Sequence, residues 1–171
     1  MKTPGELRAV PATAVADAYA LYLEVFTWLN AKRVRQWLRA IPLEEFAERQ
    51  ARGELFAWHR GPAMAAIVTL AREKDADWDP IIGAAERWWL KTLAVGRAHA
   101  GQNLGAQVLA ASERHLAAIG ATDVHLECVD TGFLPDYYAR FGYAVVRRAN
   151  ITYPSGNTFP VRLMRKPLGP A

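Results

Sequence analysis

The residues best suited to chemistry lie between positions 93 and 106, which read Leu93-Ala94-Val95-Gly96-Arg97-Ala98-His99-Ala100-Gly101-Gln102-Asn103-Leu104-Gly105-Ala106. A buried-type apolar run gives way to a glycine-containing loop and then to the start of a helical pattern. A loop in that place presents unpaired backbone N–H groups and the positive end of the helix dipole, and Gly101 and Gly105 let a ligand approach the backbone closely. This is a cradle for a pyrophosphate group, although the same glycines would equally serve to turn the chain and pack the helix. No Gly-Lys-Ser/Thr follows, and the spacing is not that of a dinucleotide fingerprint, so nucleoside triphosphate and nicotinamide ligands are disfavoured. A second candidate is Glu127, within His125-Leu126-Glu127-Cys128-Val129. Strand alternation groups it with His125 and Val129, opposite Leu126 and Cys128, and an acid in so apolar a segment needs a reason. The four histidines, His59, His99, His115 and His125, show no i, i+4 pair or cluster, so a metal site has little support. Cys128 reads as a small buried hydrophobe.

These groups need elements to hold them. Residues 12–30 place Val15, Ala18, Tyr19, Tyr22, Val25, Phe26 and Leu29 at steps of three and four, one face of an amphipathic helix. A second helical pattern, Val34, Trp37, Leu38 and Ile41, is interrupted at Pro42, which cannot continue a hydrogen-bond ladder but can open a short helix carrying Leu43 and Phe46. Residues 54–60 and 63–72 are short apolar segments flanking Gly61-Pro62 and predict a hairpin. After a polar loop through Asp75, Asp77 and Asp79, residues 87–95 predict a strand buried on both faces. The helix beyond the glycine loop carries Leu104, Val108, Leu109, Leu116 and Ile119 and stops at Gly120. Residues 124–129 form a second buried strand, so 88–129 reads as a strand-helix-strand crossover with parallel strands. A short helix at 134–140 ends at Gly142, and strands at 143–152 and 158–166 flank the turn Pro154-Ser155-Gly156-Asn157. With a first strand at 7–10, the order predicts an α+β chain: a mixed sheet with helices on both faces.

Composition narrows the classes. The chain has 171 residues, 51% of them hydrophobic and 22% charged, which suits one globular domain and excludes a disordered, collagenous or low-complexity chain. Lys and Arg number 21 against 17 Asp and Glu, and the net charge of +4 suits an anionic ligand but is too small and scattered to demand nucleic acid. Arg147, Arg148, Arg162, Arg165 and Lys166 could form a basic strip on the last hairpin, which a solvated sheet edge explains equally well. A single cysteine excludes a disulfide scaffold and a cysteine-based zinc site. The first residues, Met1-Lys2-Thr3-Pro4-Gly5-Glu6, lack the apolar stretch of a signal peptide, and no run reaches the length of a membrane span, so a cytoplasmic location and no membrane partner are expected.

The segment Tyr137-Tyr138-Ala139-Arg140-Phe141-Gly142-Tyr143, taken with the glycine loop, resembles the GNAT superfamily of N-acetyltransferases. The motifs of that family are a Val-x-Val/Pro strand end, an Arg/Gln-x-x-Gly-x-Gly/Ala loop and a Phe/Tyr-Tyr-x-Lys/Arg-x-Gly-Phe/Tyr helix end. The last fits at every defined position, and the order of elements agrees from about Leu7 to Leu168. In the loop, Ala100 stands where Arg or Gln is usual and Asn103 where the middle glycine is usual. Backbone N–H groups do most of the work in such a loop, and Asn is among the residues that best tolerate unusual backbone angles. The resemblance implies a mostly antiparallel sheet of about seven strands, with a central parallel pair splayed to admit acetyl-CoA as co-substrate and no metal. It further implies that Leu93, Ala94 and Val95 pair the pantetheine arm and polarise the thioester carbonyl, while Ala100, Gly101, Gln102, Asn103, Leu104, Gly105 and Ala106 hold the pyrophosphate. Thr131 stands where an Asn often bonds the pantetheine. Tyr138 matches the tyrosine that protonates the departing thiolate, and a possible homodimer follows from the habits of relatives.

The implied reaction is direct attack by a primary amine, of a small molecule or peptide, in a ternary complex. The amine must lose a proton first, so a base is needed. Trp88, Trp89, Leu90, Lys91 and Thr92 offer none, which leaves Glu86, Glu127 and Asp130, with Glu127 the first choice. A carboxylate paired with a nearby Arg, or capping a turn, explains Glu127 equally well. Trp28 and Trp37 fall where the family's first helices line the acceptor site, although a Trp on a helix face is commonly core. The competing reading is a fold relative that binds acyl-CoA as a sensor without turnover, motivated by Ala100, Asn103 and the missing strand acid.

Overall fold

Local signals in the chain translate into elements with few surprises. The structure, a computed structural model, describes residues 5–34, 36–37, 39–153 and 156–169. It contains β1 (Glu6–Ala9), α1 (Val15–Ala31), α2 (Leu43–Ala51), β2 (Leu55–Arg60), β3 (Ala63–Glu73), α3 (Asp79–Ile82), β4 (Arg87–Val95), α4 (Leu104–Ala118), β5 (Asp123–Val129), α5 (Leu134–Ala139), β6 (Ala144–Thr152) and β7 (Thr158–Pro167). The seven strands form a mixed sheet in the order β1-β2-β3-β4-β5-β7-β6. β4 and β5 pair in parallel at Trp89↔His125, and the pairs β1–β2, β2–β3, β5–β7 and β6–β7 are antiparallel. Among the described residues, no helix is long and apolar enough to cross a membrane. The chain divides into two compact units, residues 1–70 with 90–115 and residues 71–89 with 116–171.

In the first unit, Gly61 takes the left-handed angle (φ 59°) that a tight hairpin turn needs, and β2 and β3 run antiparallel from it. Val15, Ala18, Tyr22 and Val25, spaced along one face of α1, pack with Phe46 of α2, Leu55 and Ala57 of β2, Ile67 of β3 and Ala94 of β4. The predicted helical pattern at Val34, Trp37 and Ile41 is not realised; Leu38 lies outside the described residues. A local turn and a distant hydrogen bond explain the difference. Arg33 adopts φ 58° and closes α1, with the Arg33 and Val34 N–H groups donating to the carbonyls of Asn30 and Leu29. The Ile41 N–H then donates to the Tyr22 hydroxyl oxygen at 2.9 Å instead of to a helical carbonyl, while Trp37 packs on the Tyr22 ring at 5.2 Å. Tyr22→Phe is therefore expected to cost about 1–3 kcal/mol in urea unfolding, because it orphans a part-buried N–H. An unchanged midpoint would show that water replaces the phenol.

In the second unit, β5 pairs with β7 from Asp123↔Pro167 to Val129↔Val161, and β7 folds back on β6 to Thr152↔Thr158. Of the predicted turn, Pro154 and Ser155 lie outside the described residues. The polar segment after β3, expected as loop, contains the short helix α3. The Asp75 carboxylate accepts the Asp77 and Trp78 N–H groups at 3.1 and 3.2 Å, and Pro80 supplies a first-turn residue needing no acceptor, so α3 starts there. This turn buries Trp78 completely, against Trp89, Ile151, Val161 and Leu163.

Candidate functional site

The glycine loop takes its path from bonds at both ends. Gly96 donates its N–H to the Ala65 carbonyl at 2.9 Å, and Arg97 donates its N–H to the Glu24 carboxylate at 3.3 Å. The Arg97 guanidinium lies 3.7 Å from the centroid of the Trp28 ring, a cation–π contact that turns this cation toward α1. After a short turn at Arg97–His99, Gly101 (φ 73°) and Asn103 (φ 56°) both take left-handed angles around Gln102. Asn at 103 thus takes a left-handed angle, which Asn tolerates better than most residues other than glycine. Gly105 lies in the first turn of α4. From Gly101 to Ala106 no backbone N–H has a partner among the described residues, while the Gln107 side chain caps the carbonyls of Gln102 and Asn103 at 3.4 Å each. Left-handed turns followed by a helix N-terminus create a concavity of N–H groups with a positive potential.

Just before that loop, Thr92 has φ 53°, a conformation that costs a β-branched residue on the order of 1–3 kcal/mol. Its place in the middle of β4 breaks the two-residue alternation ahead of Leu93, Ala94 and Val95, so their N–H groups are aimed differently from those of a regular strand. Ala94 is buried, and Leu93 and Val95 are partly so. Nothing in the sequence marks Thr92, since Thr is an ordinary strand residue.

The second unit holds the titratable candidates. Tyr138 lies on α5, which ends as Gly142 takes φ 89° and the Gly142 N–H bonds the Ala139 carbonyl. Its ring meets Tyr137 and Tyr143 edge-on, at 5.3 and 5.8 Å between centroids. Burial pushes its pKa above the ordinary phenol value, and the neighbouring Cys128 and Tyr137 push it further, so the hydroxyl holds its proton at every physiological pH. Burial also pushes the Cys128 thiol up to about 12, as befits an inert core residue. Thr131 is exposed.

Glu127 is held by neutral donors. It accepts the Trp78 indole N–H at 2.5 Å on one oxygen and the Tyr153 hydroxyl at 2.9 Å on the other. Burial raises its pKa above the usual carboxylate value, the two hydrogen bonds act against that, and Asp75 and Asp77 add to it. The other acids are committed elsewhere: Asp130 pairs with Arg162 and, at 3.8 Å, with Arg148, and Glu86 with Arg72 at 3.7 Å. The basic strip of the last hairpin is thereby partly neutralised, Arg165 also bonding Asp123 at 2.7 Å. Among the described residues no three His, Cys, Asp or Glu side chains gather as for a metal ion.

The model of the acetyltransferase (GNAT) family matches residues 16–143. The chain belongs to the GNAT acetyltransferase family. The uncharacterized N-acetyltransferase YesJ of Bacillus subtilis is 30% identical over 131 residues, covering 72% of each chain. A GNAT-family acetyltransferase from Listeria monocytogenes superposes with a TM-score of 0.80 at 20% identity, covering 97% of this chain and 96% of its own. The yncA protein of Salmonella typhimurium, solved with its cofactor acetyl-CoA, has a TM-score of 0.70 at 14% identity, covering 99% and 96%. In this GNAT chain Trp37 joins the core of the first unit and the Trp28 ring faces Arg97. The residues the sequence reading missed, Trp78, Tyr153 and Thr92, carry no local mark. Trp78 and Tyr153 stand 49 and 26 positions from Glu127.

Proposed function

We propose that this acetyltransferase moves the acetyl group of acetyl-CoA directly to a primary amine, in a complex holding both substrates. The observation that carries the reading is the row of unpartnered N–H groups at residues 101–106, retained despite the departures at Ala100 and Asn103. A pyrophosphate diester has acceptor oxygens for such a row, and the helix dipole of α4 adds to the attraction. Acetyl-CoA supplies the activated acyl group. Leu93, Ala94 and Val95 bind its pantetheine arm and polarise the thioester carbonyl through backbone N–H groups. Glu127 takes a proton from the incoming ammonium, the freed amine attacks, the C–S bond breaks, and Tyr138 gives its proton to the thiolate. The nitrogen then sheds its second proton, which water relays to the Tyr138 phenolate, and Glu127 releases its proton to solvent, so the products are an amide, free coenzyme A and one released proton.

Calorimetric titration with acetyl-CoA is expected to give micromolar affinity, with ATP at the same concentration giving no heat. Folded protein that ignores acetyl-CoA would remove the reading. A second reading, a non-catalytic acyl-CoA-binding module, is favoured by one observation: both oxygens of Glu127 already accept hydrogen bonds from Trp78 and Tyr153. Turnover with any amine in a broad panel rejects it.

A further inference from the structure

The hairpin that joins β2 to β3 ends its first strand on Arg60, a residue outside every motif discussed above. Its guanidinium reaches across 42 positions of sequence to donate a hydrogen bond to the Gln102 side-chain oxygen, at the middle of the glycine loop. That acceptor is a neutral amide, and among the described residues Arg60 has no ion pair. An amide satisfies one N–H of a fork that carries five and leaves the full positive charge in place. Residues 96–106 contain no acid, and neither do His59, Arg60, Gly61 and Pro62; the Glu24 carboxylate meets the loop at its start, on the Arg97 N–H. Arg97, a cation within the loop, is held over Trp28 by its ring contact. Position 100 of the loop is Ala and offers no side-chain cation.

We propose that Arg60 is the side-chain arm of the pyrophosphate cradle, supplying from β2 the cation that position 100 lacks. In the free protein Gln102 holds the guanidinium beside the loop. When the nucleotide arrives, the remaining N–H groups of the fork bond phosphate oxygens in the two-pronged geometry that suits Arg. Charge-assisted bonds of this kind are worth about 10- to 100-fold in affinity. The inference rests on acetyl-CoA being the ligand, and its test separates the two claims.

Wild type, Arg60→Ala and Arg60→Lys are titrated with acetyl-CoA and with acetyl-pantetheine, which lacks the pyrophosphate and nucleotide. Circular dichroism and thermal midpoints check that each is folded. Arg60→Ala is expected to weaken acetyl-CoA by about 10-fold or more and to flatten the salt dependence of binding, leaving acetyl-pantetheine within about twofold. Arg60→Lys, which keeps the charge and loses the fork, should fall between, and it carries the test alone if the alanine variant does not fold. Equal acetyl-CoA affinity in all three proteins overturns the role of Arg60 while sparing the proposed function. An equal loss for acetyl-pantetheine overturns it as well, because the defect would then lie outside the pyrophosphate. Wild-type protein that binds neither probe overturns both.

Discussion

Tyr138→Phe is expected to lower the rate of acetyl transfer by about 100- to 10,000-fold at saturating substrates while acetyl-CoA affinity stays within about threefold. The substitution removes one oxygen and keeps the ring that meets Tyr137 and Tyr143, so packing of α5 is preserved. On the proposed mechanism, what is lost is the proton for the thiolate. The hydroxyl is a weaker acid than a free phenol, because burial and the neighbours Cys128 and Tyr137 disfavour its anion. A thiolate born in equally dry surroundings is disfavoured for the same reason, so transfer between the two remains matched where a solvated phenol and a solvated thiolate would be compared in water. Because its pKa is raised, Tyr138 stays protonated through the working range, and the wild-type rate should show no alkaline loss from this group below about pH 10. A phenylalanine variant with the wild-type rate would move the acid to water or to another side chain and leave Tyr138 as a packing residue.

The second large effect is expected at Glu127→Gln. A glutamine can keep both contacts, its oxygen accepting the Trp78 N–H and its amide donating to the Tyr153 oxygen, so the shape of the cluster survives while the base does not. The rate at neutral pH should fall by about 100-fold or more. It should then rise with pH as the amine loses its proton unaided. In the wild type the acid limb of the profile is expected above the ordinary carboxylate value, because burial raises the Glu127 pKa. Stability moves the opposite way. The ionised form is the one that burial disfavours, so the cost is fully present above the raised folded pKa and vanishes once the pH drops below the unfolded value of about 4.3. Relative to Glu127→Gln, the wild type should therefore be less stable, or no more stable, at neutral pH, and the gap should close on acidification through that window. Parallel kinetics and urea titrations from pH 4 to 9 check both halves. Unchanged kinetics with a changed stability profile would reduce Glu127 to a structural carboxylate.

Much of this was legible from the residues alone, for a definite reason. The α1 face, the Gly61 hairpin, the bounds of β4, the crossover through α4 to β5 and the final hairpin all rest on periodicity and turn residues, which act within a few positions of the chain. The loop at 93–106 and the Tyr138 segment are contiguous, so their chemistry could be read in line, and the left-handed angle of Asn103 follows from its side chain. Three features required the tertiary structure. The stretch from Val34 to Ile41 has helical spacing, yet Arg33 turns the chain and the Tyr22 hydroxyl captures the Ile41 N–H, a competition between local and distant partners that spacing does not register. Thr92 is an ordinary strand residue by type, and nothing in that type foretells the left-handed angle it takes in β4. The partners of Glu127 and the reach of Arg60 to Gln102 join residues 26 to 49 positions apart. Local sequence decides which elements form and where a backbone can bend, whereas hydrogen-bond partners, burial and the pKa shifts they cause depend on which elements become neighbours, and only the folded chain decides that.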